Sequence, residues 1–217
     1  MGAFSQLDTC AHERKLSVSV IVPCAPVHIT HLRQLVDMLQ TQSRKPDQII
    51  LAISGCEISA FPIVDADITH SREAHTAGSN RNRGSVAANG DVVIYQDADD
   101  VPHPQRVEII AGLFEKYQID HLMHFYNRSV DPCTSFSLDE AANRTTYRTD
   151  LAADVTNGNP AVARTLLLSV RWPEYARRGE DVEFNRAVYA RTKRTAVVEL
   201  PLLTYRQKLS SFKRLVR

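Results

Sequence analysis

Two apolar, β-branched runs flank one amphipathic helix near the start of this chain, and that order constrains the fold more than any other feature. In "SVSVIVP" the residues Val18 to Val22 are dense enough for a buried strand that stops at Pro23. From Ile29 onward, Ile29, Leu32, Leu35, Val36 and Leu39 recur at spacings of three and four, which predicts a helix with one apolar face. "DQIILAIS" then predicts a second strand, ended by Ser54 and Gly55. A strand, a helix and a strand this close together form a βαβ unit, so the expected sheet is parallel with a right-handed crossover.

The alternation continues. A weaker strand is expected over Ile63 to Ile68, and "GSNRNRGSVAANGD" predicts a short helix closed by Asn89 and Gly90. "VVIYQ" is a further strand, and Pro102 and Pro104 open a helix whose Val107, Ile110, Leu113, Phe114 and Tyr117 share a face. His121 to Tyr126 is expected as a strand, "EDVEFNRAVYART" as a helix and "TAVVELP" as a last strand. The middle, Asn127 to Asn159, is rich in Ser, Thr, Asn and Asp and is expected to be loops and short pieces.

With 217 residues the chain can bury one full core, and the expected division is a loose leader over residues 1–15 and one domain over 16–217. A net charge of +1 at 24% charged residues gives no broad field for nucleic acid. No apolar run is long enough to span a bilayer, and the first residues lack the apolar centre of a signal peptide, so a cytoplasmic protein with at most peripheral membrane contact is expected. Cys10, Cys24, Cys56 and Cys133 are far apart and lack zinc-site spacing, which fits isolated reduced thiols.

The strand "VVIYQ" runs into Asp97, Asp99 and Asp100. Such a cluster repels itself, so it is either a solvated turn or a place where a cation sits. Ligands of open α/β sheets bind beyond the carboxyl ends of strands, where these acids lie. A second D-x-D, Asp65 and Asp67, has no third acid and is expected to be a structural turn. Upstream, "AGSNRNRG" offers Arg81 and Arg83 beside small residues, and downstream "RRGEDVEFNRA" puts Glu180 and Asp181 at a helix start. Each has a plain alternative: surface charge for the arginines, helix capping for the acids.

Taken in order, "VSVIVPCAP", a helix, "QIILAIS", "SNRNRGSVAANGDVVIYQDADD" and "GEDVEFNRA" resemble the family 2 glycosyltransferases of the GT-A fold, over about Ser17 to Ser211. The family pattern is a strand ending in Pro, an "ARNxG" helix, a strand ending in D-x-D-D and a late E-D pair. The resemblance implies a single α/β GT-A domain, Rossmann-like, with a mostly parallel central sheet flanked by helices. It also implies transfer of a sugar from a nucleoside diphosphate donor to a hydroxyl of a glycan or other acceptor, with Mn²⁺ or Mg²⁺ as cofactor. Asp99 is then the principal metal ligand, Asp97 assists through the metal or the ribose, and Asp100 orients both. Pro23, Ala25 and Arg81 are placed against the donor, as are Arg206 and Lys208 from "LTYRQKLSS", which resembles the family's closing loop. Asp181 is the general base of one inverting displacement, with Glu180 as the fallback base or an orienting group.

Where family members often carry "VDDGS", this chain has "AISGC", with no acid before Glu57. UDP is the commonest donor nucleotide of the family, and dTDP and GDP stay open. The chain also fits one module of a longer enzyme. Two other readings of the acids stand beside the transferase: a haloacid-dehalogenase-type phosphatase, in which Asp97 of D-x-D-x-V is the nucleophile, and an inactive sugar-nucleotide-binding relative. A dinucleotide-binding dehydrogenase is excluded because "VPCAPVHI" lacks G-x-G-x-x-G, and an EF-hand because its Gly and terminal Glu are absent.

Overall fold

The computed structural model describes residues 15–61, 64–129, 131–148, 158–175 and 179–206. The expected leader, apart from Lys15, lies outside them, as does Lys208. In chain order the elements are β1 (Val18–Cys24), α1 (Ile29–Gln40), β2 (Gln48–Ser54), β3 (Asp67–Ser71), α2 (Ala77–Ala87), β4 (Val92–Tyr95), β5 (Val101–Pro102) and α3 (Arg106–Lys116). They continue as β6 (His121–Asn127), α4 (Leu138–Asn143), β7 (Thr145–Tyr147), β8 (Ala161–Ala163), α5 (Glu180–Arg191) and β9 (Thr195–Thr204).

The strands form one mixed sheet in the order β3-β2-β1-β4-β8-β6-β9-β5, with β7 also on β9. The pairings β1–β2, β1–β4, β2–β3 and β6–β9 are parallel and carry the longer registers, while β8 lies antiparallel to both β4 and β6. Val20, Val22, Leu32, Leu35, Leu51, Ile94, Ile110 and Leu113 belong to a buried core built from β1, β2, β4, α1 and α3. Ile21, Val93, Tyr95, Trp172, Phe184 and Val188 form a second one. The βαβ unit is therefore as its periodicity dictates, since β1 is buried along its whole length and α1 buries Leu32, Leu35, Val36 and Leu39.

Four expectations shift, and the first is that Pro102 does not open α3 but ends β5, the helix beginning at Arg106. β1 does not stop at Pro23 but runs to Cys24. Ile21 accepts from Gln96 N–H on the β4 side, so the donor that proline lacks points the same way, beyond the last β1–β4 pair, Ile21 with Tyr95. β3 begins at Asp67 and runs to Ser71, later than the apolar residues suggested. Among the described residues it pairs only with β2, and its residues are exposed or half-buried, so no alternation marks it. The loop-rich middle contains α4 and β7, and Ser137 caps α4 by accepting from Glu140 N–H at 3.0 Å.

Helix α2 lies close on β1 because it carries glycines where it needs them. A methyl group on Gly84 would sit on Ile21 Cγ2, and one on Gly78 would sit on the Pro173 carbonyl oxygen. Ile21 is β-branched and buried, so it has little room to yield. Gly84→Ala is expected to lower the unfolding free energy by about 1–3 kcal/mol through overpacking, read as a lower urea midpoint at unchanged slope.

Candidate active site

The strand order turns back between β1 and β4, because β2 and β3 extend to one side of β1 and β4 joins on the other. Such a switch point opens a crevice beyond the carboxyl ends of the two strands. Cys24 and Ala25 leave β1 there, and Gln96 and Asp97 leave β4. The second D-x-D is at the other end of its strand, since Asp67 is the first residue of β3. Gln40 bonds Asp65 and Gln48 bonds Asp67, so the pair expected as a turn is a bend at Asp65 that leads into the strand at Asp67, held by structural hydrogen bonds.

The acid turn is held from below by a buried arginine. Arg106 is fully buried, donating from Nε to His124 Nε2, from Nη1 to Gln96 Oε1 and from Nη2 to the carbonyls of Tyr95 and Asn159. Gln96 in turn donates to the carbonyls of Asp97 and Asp100. Burial pulls Arg106 down to about 9, which leaves it charged at neutral pH. Burial, and then the Arg106 charge, pull His124 down to about 3, so the ring is neutral with Nδ1–H donating to the Phe125 carbonyl. Asn159 clamps the turn from the side: its Oδ1 accepts from Asp97 N–H at 2.6 Å, and its Nδ2 reaches Asp97 Oδ2 and Asp100 Oδ2 at 3.3 Å each.

Among the acids the environments differ. Asp100 is buried, and burial followed by the Asp97 charge raises it to about 7; it accepts from Arg206 N–H at 3.1 Å. Asp97 and Asp99 are half-buried at the rim. Among the described residues no group of three or more His, Cys, Asp or Glu side chains converges as a metal site. Asp97 and Asp99 nonetheless fit a hard divalent ion, because Mg²⁺ is commonly held by one or two carboxylates with substrate phosphate oxygens completing its shell.

The "SNRNRG" segment stitches the crevice together. Asn80 donates to Ser54 Oγ at the end of β2 and to the Cys24 carbonyl at the end of β1. Asn82 exchanges two hydrogen bonds with the backbone of Trp172. The Arg81 side chain is only 2% exposed, so it is not the plain surface charge that was its alternative. Its Nη2 lies 2.6 Å from Asp97 Oδ1 and its Nη1 3.3 Å from Glu180 Oε1, while its guanidinium carbon sits 4.3 Å over the Trp172 ring. Trp172 stacks on Phe184 at 4.0 Å, and Tyr95 meets both edge-on. Gly158 leaves room for the pair, because a methyl group there would come within 2.5 Å of Arg81 Nη2.

Arg81 therefore brings the acid turn and the late acid pair into one site. Helix α5 starts after Gly179, whose φ of 75° suits glycine, so the cap is Gly179 and Asp181 lies inside the first turn. Asp181 is half-buried; burial first, and then the Glu180 charge, raise its carboxyl above the usual range. Pro23 is buried in β1, Ala25 follows at the crevice, and the Arg206 side chain is exposed. Arg106, Asn159, Gln96 and Trp172 escaped the sequence reading. Only Arg106 carried a signal, a cation at helical spacing with Ile110, Leu113 and Tyr117 on the apolar stripe of α3.

The sequence pattern of Glycosyl transferase family 2 matches residues 19–154. No curated protein matches the chain in sequence. Among solved structures, glucosyl-3-phosphoglycerate synthase from Mycobacterium tuberculosis, in complex with Mn²⁺, UDP and glucosyl-3-phosphoglycerate, superposes with a TM-score of 0.66 at 19% identity, covering 96% of this chain and 82% of that one. Staphylococcus aureus TarS 1-349 in complex with UDP-GlcNAc gives 0.65 at 17% identity, over 85% of this chain and 56% of that one. A longer TarS chain is covered to 35% of its length, at 18% identity and a TM-score of 0.64. At these identities the likeness is one of fold.

Two neutral histidines make the fold sensitive to acid. Burial holds His121 at about 4 and His124 at about 3, both below the ordinary 6.5, so the folded state binds fewer protons than the unfolded one. Their contribution is present above about pH 6.5 and is lost as the pH falls toward those values. Asp100, raised to about 7, and Asp181, raised by burial, work in the opposite sense, while His103, lowered by burial, adds to the two histidines, and the three histidines outweigh the two acids. The urea midpoint is expected to fall between pH 7 and 4.5, and by less in His124→Gln, whose amide oxygen can still accept from Arg106.

Proposed function

Because this chain belongs to glycosyl transferase family 2, we propose that it transfers a sugar with inversion from a nucleoside diphosphate donor, UDP first among them, to an acceptor hydroxyl. The observation that carries this reading is the convergence of the acid turn and the E-D pair on Arg81, at the switch point of the sheet. Residues 16–217 are read as the transferase domain and the preceding residues as a leader. Among the described residues no helix is long and apolar enough to cross a membrane, and Cys24, Cys56 and Cys133 are free thiols. That thiol state suits the cytoplasm, where we place the reaction.

In this reading the donor diphosphate lies over the crevice between β1 and β4, against Ala25 and the end of Pro23. Asp99 is the principal ligand of Mg²⁺ or Mn²⁺, and Asp97 assists from its place between Arg81 and Asn159. When bound, the divalent ion neutralises charge on the leaving diphosphate. Asp100 sits behind the turn and orients it, and the exposed side chain of Arg206 reaches the donor phosphates; Lys208, expected beside it, lies outside the described residues. Ser54, which accepts from Asn80 Nδ2 and His75 N–H, stands where family members often have an acid, and the uracil is read near it.

Asp181 takes the proton of the acceptor hydroxyl as its oxygen attacks the anomeric carbon from the face opposite the nucleotide, and one displacement inverts the configuration. Its raised pKa suits a base better than Glu180, which is tied to Arg81. Arg81 becomes a positioning residue: it fixes Asp97 against Glu180 and so the acceptor side against the donor side. The family argues against the phosphatase reading, and so does Asp97, whose carboxylate is held by Arg81 and Asn159 rather than presented as a nucleophile.

Calorimetry with UDP, with and without Mg²⁺ or Mn²⁺, tests the donor site. Asp99→Asn is expected to abolish the metal-dependent part of binding while Asp67→Asn behaves as wild type; undiminished binding in Asp99→Asn would remove the metal assignment. A panel of nucleotide sugars tests the base. Metal-dependent transfer or hydrolysis is expected to fall about a hundredfold in Asp181→Asn with donor affinity nearly unchanged. Near-normal turnover there, with a collapse in Glu180→Gln, moves the role to Glu180. Nucleotide binding without turnover of any donor by the wild type identifies an inactive relative.

A further inference from the structure

Beyond β4, on the side of the sheet away from β1, two tyrosines stand half in water next to the acid turn. Tyr126 lies near the end of β6 and Tyr205 just past the end of β9, at 38% and 46% exposure. Their ring centroids are 5.7 Å apart and the planes are tilted by 55°. Their backbones are fixed, because Tyr205 N–H donates to the Asn127 carbonyl at 2.8 Å and Asn127 pairs with Thr204. The next residue, Arg206, donates its N–H to Asp100 Oδ1, which ties the tyrosine pair to the acid turn.

We infer that Tyr126 and Tyr205 form a stacking platform for a pyranose ring of a carbohydrate acceptor. The inference rests on the reading of the acid turn as the donor site. The strand order sets the side: the nucleotide crevice lies between β1 and β4, whereas β6 and β9 lie on the far side of β4. A nucleobase on these rings would have to lie away from the crevice that its diphosphate occupies. A pyranose presents an apolar face of C–H groups and a rim of hydroxyls. A tyrosine matches both with an apolar ring body and a polar tip. Rigid rings lose little conformational freedom on binding, which suits a platform at a rim.

Saturation-transfer NMR decides the matter with methyl α- and β-glucopyranoside, methyl β-galactopyranoside and N-acetylglucosamine as probes, on the free protein and on protein with UDP and Mg²⁺. At least one probe is expected to receive saturation at its ring C–H protons. The transfer is expected to vanish in Tyr126→Ala and Tyr205→Ala and to persist in Tyr126→Phe and Tyr205→Phe, which keep the ring and guard against a folding artefact. No transfer to any probe, or transfer that survives both alanine variants, overturns the platform. Calorimetry of UDP on Tyr205→Ala is expected to match wild type; a loss of about tenfold or more would assign the ring to the nucleotide and overturn the inference as well. Failure of the wild type to bind UDP would sink the donor reading alone, since the probes are also read on the free protein.

Discussion

A guanidinium with both terminal nitrogens on carboxylates, stacked on an indole and closed off from water, is the constraint on which this site depends. Arg81 gathers Asp97 from the end of β4 and Glu180 from the start of α5. A buried cation without partners would be prohibitive, so burial of Arg81 requires those acids nearby. The converse matters as much, because the acids of two distant motifs share one neutralising charge and cannot shift independently. Trp172 seals the pair from below, Gly158 leaves the space above it, and Asn82 anchors the segment that carries Trp172. What resembles a surface-charge motif in sequence is thus the internal brace of the crevice.

A second arginine performs a different task at the same turn. Among the described residues Arg106 makes no ion pair, and it spends its donors on backbone carbonyls, Gln96 and the neutral His124. Unpaired buried acceptors are costly, so this arrangement fixes the path of the chain from Tyr95 to Asp97 and of the Asn159 backbone beside it. The division of labour follows from burial: the turn's backbone is rigid underneath, Asp100 is enclosed, and Asp97 and Asp99 remain at the rim. A binding site needs that combination of a fixed frame and reachable ligand atoms.

Strongly periodic elements were legible in the sequence. The spacing of Leu32, Leu35, Val36 and Leu39 gave α1, and the apolar density of β1, β2 and β4 gave the parallel half of the sheet. Weakly patterned elements were not. β3 is an exposed strand without alternation, β8 is three residues long, and β5 is two. Strands so short take their identity from the neighbours that pair with them, and no local preference announces that. In sequence the two D-x-D pairs differ by the third acid, Asp100, and the structure adds that they lie at opposite strand ends.

By itself the sequence determined the βαβ start, the α/β class, the position of Asp97, Asp99 and Asp100 at the mouth of a strand, and the family resemblance carried by motif order. Those follow from local periodicity and from short motifs that read along the chain. Only the tertiary structure decided which of these side chains meet. It turned Arg81 inward to Asp97 and Glu180, set Arg106 and Asn159 under and beside the acid turn, and stood Tyr126 and Tyr205 on its far side. Burial and charge pairing across scores of residues of chain are set by how the layers pack, and packing leaves no trace in the spacing of the residues it joins.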